Sequence, residues 1–96
     1  MKILAIEQNV SDAAPDDFAP LLRAEAQRVW ELQQAGLLRE IYFVKDERRA
    51  VLILECETAD EAQEIIDTLP LVQAGLIAFE ILPLEPYPGL ARLFDR

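Results

Sequence analysis

Apolar positions along this 96-residue chain change their spacing several times, and each change marks a structural element. Ile3, Leu4, Ala5 and Ile6 form an unbroken run inside Lys2 to Gln8, which predicts a strand covered on both faces. Asn9 to Asp17 (NVSDAAPDD) collects Asn, Ser, Asp and Pro and reads as a loop. Phe18, Leu22, Ala26, Val29 and Gln33 then recur at spacings of three and four. They predict one long helix, capped by Asp17, with Pro20 tolerated in its first turn and Gly36 at its end. Leu37 to Lys45 and Ala50 to Glu57 are β-prone runs separated by Asp46, Glu47, Arg48 and Arg49, as in a hairpin. Thr58 and Glu61 form a capping-box pair ahead of Ala62, Ile65, Ile66 and Leu69. Pro70 is expected to stop this second helix, Leu71 to Gly75 to link, and Leu76 to Leu84 to supply a fourth strand.

The letters QAGL occur twice, at Gln34 to Leu37 and at Gln73 to Leu76, each time between a helical pattern and a strand-like one. With the element order β-α-β-β-α-β, this repeat indicates two split β-α-β halves. The fold class predicted is α+β, a ferredoxin-like four-stranded antiparallel sheet over residues 1–84. Residues 85–96 (EPYPGLARLFDR) carry prolines and a glycine that oppose regular structure, yet retain Leu90, Leu93 and Phe94. They predict an ordered C-terminal arm that packs on a neighbouring subunit.

A formal net charge of −9, from 18 acidic and 9 basic residues, opposes binding to nucleic acid or to an anionic membrane. The absence of histidine removes the usual near-neutral proton carrier and the commonest metal ligand. No apolar run approaches the roughly 20 residues of a membrane-spanning helix, and the first residues lack the apolar stretch of a secretory signal. A soluble, cytoplasmic protein is therefore expected, with its single cysteine, Cys56, reduced and buried. Trp30 is expected at the core edge or at a subunit contact.

Two helices cover one face of such a sheet, so the other face must meet water or a second copy. With Ile41, Phe43, Leu52, Leu54, Ile77, Phe79 and Ile81 toward the helices, alternation sends Glu40, Tyr42, Glu55 and Glu80 to the opposite face. Glu7 joins them if Leu4 and Ile6 point to the helices. Carboxylates crowded beside Val44, Val51, Ile53 and Leu82 lose hydration and repel one another, so one would retain a proton and act as general acid or base, with Tyr42 as hydrogen-bond donor. The alternative is that these glutamates lie at strand ends in water or pair with Arg39, Lys45, Arg48 or Arg92. Carboxylates also suit magnesium, calcium or manganese, but no known loop spacing supports a metal site, and no phosphate-binding glycine loop or nucleophile elbow is present.

The stretches LLREIYF (Leu37 to Phe43) and LPLVQAGL (Leu69 to Leu76), set in this element order, resemble the muconolactone delta-isomerase family. The resemblance implies a dimeric α/β barrel in which two sheets face each other, further assembly into a higher oligomer, and proton transfer beside a lactone carbonyl without any cofactor. It also implies that Arg39, which matches an arginine opening strand two, contacts an anionic substrate. The family's isomerase tends to have histidine after that arginine; here the position is Glu40. The expected function is thus an isomerase-like protein acting on a lactone or related carbonyl compound, or else a non-catalytic small-molecule-binding or assembly module.

Overall fold

The computed structural model describes residues 1–94; the last two positions of the expected arm lie outside the described residues. Strands β1 (Lys2–Asn9), β2 (Leu38–Phe43), β3 (Ala50–Glu55) and β4 (Ile77–Pro83) form one antiparallel sheet in the order β2-β3-β1-β4. Helix α1 (Pro15–Phe18), a 3₁₀ turn (Ala19–Leu21) and α2 (Leu22–Gln34) form the first crossover; α3 (Ala59–Ile66) and α4 (Pro70–Gln73) form the second. This is the α+β, β-α-β-β-α-β plan expected.

The QAGL repeat encodes one backbone device used twice. Gly36 and Gly75 have φ of 77° and 75°. After α2, the Gly36 N–H donates to the Gln33 carbonyl at 3.1 Å and the Leu37 N–H to the Leu32 carbonyl at 3.1 Å. After α4, Gly75 donates to Val72 at 2.9 Å and Leu76 to Leu71 at 3.0 Å. Both are Schellman closures, which satisfy the last carbonyls of a helix and turn the chain sharply into the next strand.

Three expectations need correction. The first helix is not continuous, because Pro20 falls within a 3₁₀ turn that separates α1 from α2. Asp17 does not stand at the cap position either; it is in the third helical position, and its Oδ2 accepts from the Ala14 N–H at 2.8 Å. Finally, Pro70 does not lead into a bare linker but opens α4, where its missing N–H costs nothing at a helix start. The second cap is as expected at Thr58, whose Oγ1 accepts from the Glu61 N–H at 3.0 Å, while Glu61 reaches one residue further back, to the Glu57 N–H at 3.1 Å.

Ile3, Ala5, Leu38, Leu52, Leu54, Ile77 and Phe79 from the sheet pack against Leu32, Ala62, Ile65, Ile66 and Leu69 to make the core. Cys56 is buried at its margin, where loss of hydration pushes its thiol pKa up. The far face carries Leu4, Ile6, Val51, Ile53 and Leu82 as cross-strand neighbours, all only partly covered. A bulge in β2 at Arg39 shifts its pairing with β3 between Leu38 and Glu40.

Beyond β4 a 3₁₀ segment (Pro88–Phe94) carries Leu90, Leu93 and Phe94 in exposed positions, Phe94 at 81%. The radius of gyration is 15.8 Å, against about 13 Å for a compact chain of about this length. The molecule measures 61 × 28 × 21 Å.

Candidate functional site

The helices do not close completely over the sheet. Between α2 and the strands lies a cavity of about 340 Å³, with walls formed by Leu22, Val29 and Trp30 on one side and Ile41, Phe43 and Phe79 on the other. It adjoins a wider cleft of about 760 Å³ that runs under the β1–α1 loop past Asn9, Ser11 and Phe18 to Arg48 and Arg49. Glu7, Leu22, Phe43, Leu71 and Ile77 border both spaces. Leu22, Ala26, Val29 and Gln33 of the predicted helical stripe line this opening, with Val29 also packing against the core. The residues α2 turns furthest inward are Glu25, Arg28, Val29 and Leu32.

Two carboxylates meet this largely apolar space. Glu7 lies on β1 opposite the buried Phe79, and its Oε1 accepts from the Ala50 N–H at 3.0 Å. Glu25 projects from α2, and its Oε1 accepts from the Leu71 N–H at 3.0 Å. Leu71 is the second residue of α4 and its N–H has no partner within that helix, so Glu25 caps α4 from outside it. Burial raises the Glu25 pKa above the usual glutamate value; the Leu71 hydrogen bond opposes this, and the negative charge of Glu7 adds to it. The loop is fastened by Ser11, whose Oγ donates to the Leu76 carbonyl at 2.9 Å.

Most of the chain, residues 5–89, matches the family model described as muconolactone delta-isomerase. The chain belongs to the muconolactone delta-isomerase family. A comparison with curated proteins gives no significant match. Among solved structures, a muconolactone isomerase superposes with a TM-score of 0.74 at 17% identity, covering 92% of each chain. The 5-chloro-2-hydroxyhydroquinone dehydrochlorinase of Burkholderia phenoliruptrix, solved with 2,5-dihydroxybenzoquinone, superposes with a TM-score of 0.71 at 18% identity, covering 88% of this chain and 94% of the other. At these identities both establish the fold that this family member shares.

The residues singled out from sequence divide between the two sides of the sheet in this isomerase-family chain. Glu40, Tyr42, Glu55 and Glu80 occupy the face away from the helices, as their cross-strand partners Ile53, Val51, Lys2 and Ile6 show. Tyr42 donates to Glu40 Oε1 at 2.7 Å, and this bond and the adjoining charge raise the phenol pKa. Glu55 Oε1 accepts from the N-terminal ammonium at 3.1 Å. Glu7 does not join them. Ile3 and Ala5 are the residues of β1 that enter the core, so Glu7, which shares their parity, is on the helix side. Arg39 is exposed and its Nε donates to the Gly36 carbonyl at 2.8 Å. Sequence reasoning missed Glu25, whose signal was a glutamate interrupting the apolar series Phe18, Leu21, Val29 and Leu32. Among the described residues no three His, Cys, Asp or Glu side chains gather closely enough to hold a metal ion. No helix there is long and apolar enough to cross a membrane.

Proposed function

We propose that this family member is a cofactor-free cytoplasmic isomerase that moves a proton beside the carbonyl of a lactone or related cyclic compound, and that it does so in the cavity bordered by Glu7 and Glu25. The observation that carries this reading is the placing of two carboxylates on one apolar cavity, one of them with a raised pKa. In such a pair one member abstracts and the other supplies. Glu7, held by one oxygen to the Ala50 N–H, is the base that removes a C–H proton adjacent to the carbonyl. The electron pair passes into the conjugated enolate. Glu25, whose pKa burial raises, returns a proton at the far end of the conjugated system, so the double bond shifts with no net change in composition, and proton exchange of both carboxyl groups with solvent restores the pair. The volume suits a ring of this size, since small-molecule sites commonly span about 300–1,000 Å³.

The partly covered apolar face of the sheet supports pairing of two copies face to face, which would complete the dimeric α/β barrel and place Glu40, Tyr42, Glu55 and Glu80 between the sheets. Exposed Leu90, Leu93 and Phe94 support docking of the 85–96 arm on a neighbouring subunit. An inter-sheet chamber using those four residues is the second catalytic reading, and it is favoured by the Tyr42–Glu40 hydrogen bond.

One experiment separates these readings. Muconolactone is incubated with the protein in deuterated buffer, and proton exchange and double-bond migration are followed by NMR. Glu7→Gln and Glu25→Gln each retain an acceptor for the Ala50 or Leu71 N–H, and each should lower the rate by about 10²–10⁴-fold. Glu40→Gln and Glu80→Gln should leave it near that of the parent. The opposite pattern would move the chemistry between the sheets. Saturable binding without exchange would establish a binding module.

A further inference from the structure

We propose that Arg48 is the residue that recognises a negatively charged group on the ligand, and so sets the protein's preference for carboxylate-bearing over neutral rings. This inference rests on the cavity being the ligand site. The difficulty it answers is electrostatic: the chain carries a net charge of −9, and Glu7 and Glu25 border the very space an anionic substrate would enter. Such a ligand needs a cation near the mouth. Among the described side chains lining the cavity and its adjoining cleft, only Arg48 and Arg49 are cationic. Arg49 is already engaged, with its Nε 3.2 Å from Glu47 Oε2. Arg48 has no ion pair among the described residues.

The backbone that carries Arg48 is hydrogen-bonded into a tight turn beside the cleft that this side chain lines. The Val44 N–H donates to the Arg49 carbonyl at 2.9 Å and the Glu47 N–H to the Val44 carbonyl at 3.0 Å, closing the β2–β3 turn around Asp46, whose φ is 65°. Glu7 Oε1 then holds the Ala50 N–H, at the residue that directly follows the arginine pair. The proposed base is thereby tied to the backbone two residues beyond the proposed anchor. A planar guanidinium can take both oxygens of a carboxylate, which fixes the ring's orientation as well as its charge. Arg39, the anchor suggested by resemblance, does not line either space, and its Nε is occupied by the Gly36 carbonyl.

Trp30 is the only tryptophan and lines the cavity, so its emission reports occupancy directly. The parent protein, Arg48→Gln, Arg49→Gln and Arg39→Gln are titrated with muconolactone and with its methyl ester, after circular dichroism confirms that each variant is folded. The parent should bind the acid more tightly than the ester, with a margin that shrinks as salt is added. Arg48→Gln should weaken acid binding by roughly 10- to 100-fold and leave ester binding unchanged. Arg49→Gln should have a smaller effect, and Arg39→Gln none. If Arg48→Gln keeps the parent's preference, or if the parent binds acid and ester equally, the anchor is overturned while the cavity stands. If neither ligand alters Trp30 emission in the parent, the cavity reading falls and the anchor with it.

Discussion

Replacing Gly36 or Gly75 with alanine tests whether the repeated QAGL letters encode one backbone device. Both glycines have positive φ, 77° and 75°, and a Cβ built on either meets nothing within 4 Å. Steric clash with neighbours is thus absent, and the cost is that of holding an L-residue in the left-handed region, about 1–2 kcal/mol. Alanine also narrows the unfolded ensemble, but its benefit of about 0.4–1 kcal/mol applies in full only where the native backbone suits it. A net loss of about 1 kcal/mol per site follows, and about 2 kcal/mol for the double variant, since the two closures lie on different helices and share no partner. In a domain of this size each 1 kcal/mol corresponds to roughly 4–8 °C in melting temperature. Urea denaturation at one fixed protein concentration measures this, because self-association would otherwise shift the apparent stability. Asparagine, which tolerates the left-handed region, should cost less than alanine at both positions. The reasoning is refuted if either alanine variant matches the parent, if asparagine is worse than alanine, or if the two sites differ by more than the error of the measurement.

Two further outcomes concern charge and assembly. The raised pKa of Glu25 makes the folded state hold its proton longer than the unfolded chain, so the native form binds more protons as the pH rises above the ordinary glutamate value of 4.5, and stability falls through that window until the folded group also ionises. Glu25→Gln should therefore match the parent at low pH and become the more stable of the two above the window, in denaturation curves taken across pH. At the centre of the open sheet face, Ile53 pairs with Leu4 and Glu40; Ile53→Lys should leave the monomer's fold intact by circular dichroism but reduce the sedimenting mass, and an unchanged mass would argue against face-to-face pairing.

The parts of this molecule that could be read from sequence are those where one period dominates. In β3, Ala50 to Leu54 are apolar at both parities, but Glu55 and Glu57 share one parity and mark the outward phase, which the burial of Ala50, Leu52 and Leu54 follows. In β1, Ile3, Leu4, Ala5 and Ile6 are apolar at both parities, so alternation carries no phase, and Glu7 falls on the helix side because the small Ala5 and Ile3 are the ones buried. Glu40 lies four residues after its glycine and Glu80 five, a difference that alone would send them to opposite faces. The bulge at Arg39 absorbs the extra residue and returns both to the same side, a pairing property with no local sequence mark. The site was harder still, because Glu25 becomes chemically distinctive only when α4 presents its N–H and the sheet removes its water.

The bond between Glu7 and the Ala50 amide ties the proposed chemical role of this glutamate to an architectural one. A chain that exchanged this glutamate for a side chain unable to accept a hydrogen bond would loosen the start of β3 at the same moment as it removed the proposed base. Drift at this position is therefore confined to replacements such as glutamine, and a glutamine-bearing descendant would keep its shape, and the arginine beside it, long after it had stopped turning over substrate.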